Sequence, residues 1–459
     1  KRVSTRMPAT ADTTQLLIAG RRSNLRALRQ FSQTLLEATP EAMEFAQLET
    51  IAPMTENDRM RTTDPDTRVF EIALHLLPDQ SSADALANFA EHSAACDFTI
   101  NDRHLFEAGG LVFLALEGDA ANLHNLARYT LVRIARPMPR LRGVRPAIRT
   151  GSLKVPFSLP TQSPLSREPR VAILDGGLPA QHVLEPYVRR YFESDPSAAD
   201  VPEYLDHGLG VTSALLFGPI TPGQTAPRPF ALVDHFRVLD AVSDTENPYE
   251  LYRTLAHVET VLLSRQYQFV NLSLGPDLPF DDGDVHAWTA VIDSHLEDGE
   301  TLLAVAAGNN GALDAAAGLN RIQVPADGVN SLAVGAADSA QPAWDRADYS
   351  AVGPGRMPGR RKPDLVAFGG APPEYFHHAA SGREPTLTTN FGTSFAAPLA
   401  LRSAVGIRAV LGDDVHPLAA KALLIHGCEL SDGHDPHHVG WGRVCTDLGA
   451  LVACDDRSA

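Results

Sequence analysis

The chain has 459 residues, 44% of them hydrophobic, and a formal net charge of −17. That length exceeds one small domain and allows two or three with sizeable cores. The acidic balance excludes a general affinity for DNA or RNA, whose phosphates call for a basic surface.

Cys96, Cys428, Cys445 and Cys454 form no paired framework. No export signal is visible, and no apolar run looks long enough to span a membrane. These features together predict a reducing, cytoplasmic setting. Lys1 is not an initiator, so secretion stays open if a leader precedes it.

Residues 1–65 read as a helical extension, basic at its start with Arg2, Arg6, Arg21, Arg22, Arg26 and Arg29. A helix over 25–37 would carry Leu28, Phe31, Leu35 and Leu36 on one face. Residues 66–137 show a compact pattern: a strand over 68–77, then a helix capped by Ser81 and running to Ala95. Strands over 104–108 and 111–117 hinge at Gly109-Gly110. A helix from Asp119 to Tyr129 and a strand over 130–136 complete it. The order β-α-β-β-α-β predicts a small ferredoxin-like α+β domain. Residues 138–165, with Pro139, Pro146, Pro156, Pro160 and Pro164 among several arginines, read as an extended, semi-rigid linker.

Residues 166–459 alternate apolar strands (171–174, 228–233, 269–274, 302–307, 331–335) with helices such as 249–266 and 285–298. Near-continuous apolar strands separated by helices predict an α/β domain, a mainly parallel sheet with helices on both faces. Ligands of such sheets bind beyond the carboxyl ends of the strands, where Asp175, Gly275 and Asn309 fall. The chain stops at Ala459 without a closing element, which reads as a region missing beyond it.

The chemistry centres on 390–398, N-F-G-T-S-F-A-A-P. Thr393 and Ser394 can cap a helix beginning at Phe395, with Pro398 tolerated in its first turn. Ser394 would then sit beside free amides and the positive end of the helix dipole, a place that favours an oxyanion. A lone serine is a weak nucleophile and needs a base with an orienting partner. Asp175 ends the strand of V-A-I-L-D-G-G-L-P, and His207 stands in D-H-G-L-G-V-T-S-A-L-L-F-G, where the His-Gly pair would open a helix. Asn309 follows the apolar run of T-L-L-A-V-A-A-G-N-N-G and could aim its amide at a developing oxyanion. Each has a plainer reading: a cap for Ser394, a core histidine for His207, a turn residue for Asp175 and Asn309. The complete set, in the order Asp, His, Ser, outweighs them.

With N-L-S-L-G at 271–275 and A-A-G-N at 306–309, these motifs resemble the subtilases, the subtilisin-like serine peptidases, over roughly 166–450. Two departures stand out: Gly176 where many relatives carry Ser or Thr, and Gly210 where a second histidine is usual. The resemblance implies an endopeptidase acting through an acyl-enzyme, with Ser394 as nucleophile, His207 as base, Asp175 as its orienter and Asn309 as oxyanion donor. It implies a specificity pocket walled by Ser273, Leu274, Gly275, Ala306, Ala307 and Gly308, with Gln323 at the floor, suited to small or polar side chains. No cofactor is implied, though some subtilases hold structural calcium. Many subtilase propeptides resemble the ferredoxin-like fold, so 66–137 reads either as an inhibitor and chaperone or as an unrelated recruitment domain. If it inhibits, the stretch 137–144 would enter the cleft, with a cut near 141–143. Some subtilases without export signals resemble partners of AAA-type ATPases, which adds an ATPase to protein or peptide substrates as an expected partner.

Other readings are weaker. A lipase or esterase would need G-x-S-x-G, but Ala396 takes the second glycine's place and the acid precedes the base. A catalytically silent subtilase fold that binds peptides is the non-enzymatic alternative. His434, His437 and His438 with Asp432 or Asp435 read as a solvated loop before a metal site. Asp281, Asp282 and Asp284 around Gly283 read as an acidic turn before a calcium loop. His377-His378 carries no signal.

Overall fold

A computed structural model describes residues 18–26, 43, 48, 50–61, 63–142, 155–243, 247–356 and 359–453. The expected helix over 25–37 lies mostly outside these residues. The chain divides into two compact units, one of 1–100 with 110–136 and one of 101–109 with 137–459.

In the first unit, β1 (Val69–His75) alternates apolar residues and pairs antiparallel with β3 (Leu111–Glu117), from Val69 opposite Glu117 to His75 opposite Leu111. Between them come α1 (Ser82–Ala95) and β2 (Thr99–Ala108). Ser81 caps α1 by accepting from Asp84 N at 3.1 Å, which satisfies one of the helix's orphan amides. Asp119 accepts from Ala121 N as expected, but the element it opens is short: a 3₁₀ turn, then α2 (Leu123–Leu126). With β4 (Val132–Pro137) the sheet order is β2-β3-β1-β4, the ferredoxin-like arrangement. Phe70, Ile72, Phe89, Leu114 and Leu126 are fully buried in its core.

The second unit is built on seven strands in the order β12-β11-β10-β9-β6-β8-β7, all paired in parallel. They are β6 (Val171–Asp175), β7 (Val188–Glu193), β8 (Val233–Arg237), β9 (Phe269–Leu272), β10 (Leu302–Ala306), β11 (Leu332–Ala337) and β12 (Leu365–Phe368). Between strands run α3 (Pro202–Phe217), α4 (Glu250–Leu263) and α5 (Ala287–His295), and after β12 comes α6 (Thr393–Leu411). The chain starts at β6, builds β7 and β8 on one side, then crosses to β9 and grows the other way. The β6–β9 boundary is therefore the switch point, where the strand ends leave a crevice for a ligand. α6 is long and apolar enough to cross a membrane, contrary to the reading of the sequence; its burial against the sheet makes it a core helix.

Two expectations about elements change. The strand expected at 228–233 begins at Val233, where the apolar run ends, and continues through Asp234, His235 and Arg237. Side-chain partners meet Asp234 fully and His235 in part; the His235 Nε2 has no hydrogen-bond partner among the described residues. Asp234 accepts from Arg189 at 2.8 Å, Arg190 at 2.6 Å and Tyr267 Oη at 2.8 Å, and Thr212 Oγ1 lies 3.0 Å from His235 Nδ1. Burial raises the Asp234 carboxyl, but these bonds outweigh it and hold the group below the usual range. The segment expected as linker is also more than that. Val155–Pro156 forms β5, which pairs with β14 (Thr386–Asn390) beside β13 (Phe376–Ala379), and Phe157 packs into the second unit's core.

Candidate active site

Asp175 and His207 meet because three glycines, Gly176, Gly177 and Gly208, let a helix come down on a strand end. A Cβ on Gly176 would stand 2.5 Å from Tyr204, and one on Gly208 2.1 Å from Gly177 O. α3 begins at Pro202, five residues before His207, so the His-Gly pair lies one turn inside the helix and does not open it. The fully buried Asp175 Oδ1 lies 2.7 Å from His207 Nδ1 and accepts from Gly176 N, also at 2.7 Å. Two contacts on one oxygen fix the imidazole's plane and leave Nε2 as the other ring position.

Ser394 stands in the first turn of α6. Gly392, at φ +150°, makes the turn into the helix in a region that disfavours a side chain. Thr393 N and Thr393 Oγ1 both donate to Asn309 Oδ1 at 2.9 Å. An amide that accepts there must carry its Nδ2 on the other side. Phe395 N and Ala396 N donate to Gly392 O, so among the described residues the Ser394 amide is the first-turn donor left for a ligand.

Ser273 was expected only as a pocket wall, yet its hydroxyl donates to Ser394 O at 3.1 Å and accepts from Asn271 Nδ2 at 3.0 Å. The cause lies four residues on. Pro398 has no N–H, so Ser394 O loses its helical partner and takes Ser273 in its place. The sequence places Pro398 in the first turn of a helix beginning at Phe395; the helix begins at Thr393 instead, so Pro398 lies inside it, and neither the lost bond nor its replacement by Ser273 was foreseen. Ser394 Oγ itself lies 3.5 Å from Ser273 O, the outer limit of a hydrogen bond. Among the described residues no hydrogen bond joins it to His207, whose ring centroid is 6.1 Å from that of Phe395.

His378 is the residue the sequence did not flag. Its ring stacks on Phe395 at 5.2 Å and its Nδ1 contacts Ala379 O at 3.0 Å. It uses the room that Gly210 leaves, since a Cβ there would be 2.8 Å from His378 Cε1. Burial, with lesser opposition from the Ala379 contact, pushes its pKa down to about 4, so the ring beside the catalytic candidates is neutral.

The predicted pocket residues come together, and the pocket is filled. Arg142 N donates to Gly275 O at 2.8 Å, Asp277 N donates to Arg140 O at 2.9 Å, and Leu141 lies opposite Pro276 in an antiparallel bridge. The Arg142 guanidinium donates through Nη1 to Gln323 Oε1. Gln323 N donates to Ala307 O at 2.9 Å, and Gly308 packs against its amide. The side chain that the Gln323 amide holds is the chain's own Arg142, long and charged.

Arg321 pairs with Asp282 at 2.6 Å, and Asp281 accepts from Gly283 N, as in a surface turn. His434 Nε2 lies 3.2 Å from Trp344 O, and Asp435 caps a short helix through His437 N. Among the described residues no group of three His, Cys, Asp or Glu could hold a metal ion.

A sequence model described as the subtilase family, Peptidase S8, matches residues 166–442, more than half of the chain. No curated protein matches. Among solved structures, fervidolysin from Fervidobacterium pennivorans, a keratinolytic enzyme related to subtilisin, is 15% identical with a TM-score of 0.56; the match covers 89% of this chain and 65% of that one. The epidermin leader peptide processing serine protease of Staphylococcus aureus, as a serine-to-alanine variant, is 14% identical with a TM-score of 0.55, covering 84% of this chain and 100% of that one. Its unsubstituted form is 15% identical with a TM-score of 0.52, covering 84% and 98%. At such identities these likenesses show a shared subtilisin-like fold.

Proposed function

The chain belongs to the subtilase family of serine endopeptidases, and on that premise we propose that it cleaves peptide bonds with Ser394, His207 and Asp175 under the control of its own N-terminal region. The observation that supports the reading is a buried Asp175–His207 pair at a strand end, with the His207 ring 6.1 Å from that of Phe395, the residue that follows Ser394 in the first turn of α6.

For the reaction Ser394 Oγ leaves its weak contact with Ser273 O and turns its hydroxyl toward His207 Nε2. His207 then takes the hydroxyl proton as Oγ attacks the substrate carbonyl. The negative charge moves onto the carbonyl oxygen, where the Ser394 amide and Asn309 Nδ2 donate to it. Asp175 holds the imidazolium that forms. His207 gives its proton to the leaving amine, and water enters by the reverse route to free the acid.

Control is supported by 140–142, which pairs with 275–277 as a substrate strand would. A tethered strand acts at high effective concentration, so modest contacts suffice to hold the cleft closed. The AAA-type ATPase expected from resemblance gains no support, and the cytoplasmic setting stays a proposal resting on the free thiols.

A fluorophosphonate probe should label Ser394 in the folded chain, and Ser394→Ala should abolish both labelling and hydrolysis. His207→Ala should do nearly as much damage alone, and the double variant little more, because members of a triad act as a unit. A chain that folds yet neither labels nor cleaves, even with the 140–142 strand displaced by Arg142→Pro, is a silent peptide-binding module.

A further inference from the structure

We infer that the pocket between Gly275 and Gly308 is built to hold a guanidinium, and that the enzyme selects substrates carrying an arginine there, cutting a short way to its carboxyl side. This deepens the proposed peptidase function and rests on it.

The argument starts from the orientation of one amide. Gln323 is 3% exposed, so both ends of its amide need partners. Its Nε2 donates to Asp277 Oδ1 at 3.1 Å. A carboxylate only accepts, so Asp277 forces Gln323 to turn its Oε1 into the pocket. The pocket therefore presents a fixed acceptor, backed through the amide by a negative charge. The surrounding walls are Leu274, Gly275, Ala307 and Gly308, which offer no side-chain donor. An apolar or aromatic side chain would leave Oε1 buried and unpaired, a penalty that rejects it actively.

A guanidinium supplies the donor that Oε1 needs, and the chain's own Arg142 is seated in this way, with its Nη2 buried and without a hydrogen-bond partner among the described residues. Its Nη1 donates to Gln323 Oε1, and a Cβ on Gly275 would lie only 3.5 Å from its Nη2. Burial brings the Arg142 pKa down to about 10 while Asp277 resists, so the group enters the pocket charged at neutral pH. Lysine lacks the planar fork and brings a more strongly hydrated point charge, so it fits less well.

Direction fixes which side of the cut the arginine occupies. The 140–142 segment runs antiparallel to 275–277, so rising residue numbers move from Asp277 toward Gly275 and then toward Ser273, which is bonded to Ser394 O. Any bond brought to Ser394 in this register follows the seated arginine.

The test uses the full chain and peptides that differ at one position: arginine, citrulline, lysine, alanine or phenylalanine. Arginine should exceed citrulline and lysine about tenfold in kcat/KM, and alanine and phenylalanine about a hundredfold, the scale of a site left with an unpaired polar group. Asp277→Asn should narrow the arginine-to-alanine ratio. Equal turnover of citrulline and arginine, or a preference for phenylalanine, would overturn the inference. Binding of the same labelled peptides to the Arg142→Ala chain, whose pocket is vacated, reads the pocket without chemistry. Tighter binding of the arginine peptide supports the pocket, and equal binding of all five refutes it. Fluorophosphonate labelling, which does not depend on this pocket's preference, separates failure of the peptidase reading from failure of the arginine reading.

Discussion

Single residues here act through the room they leave or the bond they release. Gly210 shows the first case: its missing side chain is the space that the rings of His378 and Phe395 fill, and a Cβ at this position would come within 2.8 and 2.9 Å of them. Gly210→Ala should destabilise the fold by about 1–3 kcal/mol, as overpacking a close-packed core does, and lower turnover by shifting the rings behind His207. An unchanged denaturant midpoint would mean the rings give way freely. Asn309 shows the second: its oxygen is held by Thr393, and no hydrogen bond among the described residues takes up its Nδ2. Asn309→Leu should cut kcat with little change in KM, by about 3–4 kcal/mol, the range known from a subtilisin. A raised KM with kcat kept would make Asn309 a substrate contact.

At the scale of elements, much of the site was legible because its parts are local signals. Asp175, Gly275 and Asn309 could be placed at strand ends because apolar strands stop at polar and glycine residues, and Ser394 at a helix start because G-T-S precedes an apolar run. The misplacement of β8 has the opposite cause. Its buried positions are polar, and only partners far away in sequence, Arg189, Arg190 and Thr212, make that burial tolerable. Ser273 and His378 were missed for the same reason: a vacancy made by Pro398 or Gly210 says nothing in the sequence about what will fill it. The cleft strand was half legible. Its prolines announced an extended segment, but which side chain would enter the pocket depended on a register that only pairing with Gly275 fixes. This strand supplies a prediction of its own. Arg142→Pro removes the N–H given to Gly275 and the guanidinium given to Gln323, together about 2–4 kcal/mol of net hydrogen bonding. Hydrolysis of a short peptide by the full chain should rise roughly tenfold or more, since the tethered strand would compete less. An unchanged rate would make the N-terminal region a recruitment module and not an inhibitor.

The whole molecule carries a pH dependence that no single motif announces. His235, His257 and His378 are each pushed down to about 4, in every case chiefly by burial, from an ordinary value of 6.5. The unfolded chain takes up protons near 6.5, which the folded chain refuses until pH 4. Their shared contribution is therefore fully present above pH 6.5 and falls as pH drops toward 4, by at most about 1.4 kcal/mol per pH unit for each group. Asp327 and Glu250, raised by burial, act with the opposite sign in the carboxylate range and soften the acid end. The decline should thus be steepest between pH 6.5 and 5. All three histidines lie in the second unit, as do Trp288, Trp344 and Trp441, so tryptophan fluorescence reads that unit without the first. The urea midpoint followed by this signal should fall from pH 7 to pH 5, and His378→Gln should reduce that slope by up to one proton whatever it does to the midpoint at pH 7. A midpoint constant across this range, or a slope untouched in the variant, would mean that water reaches these rings and that they titrate in the folded chain as they do in the open one.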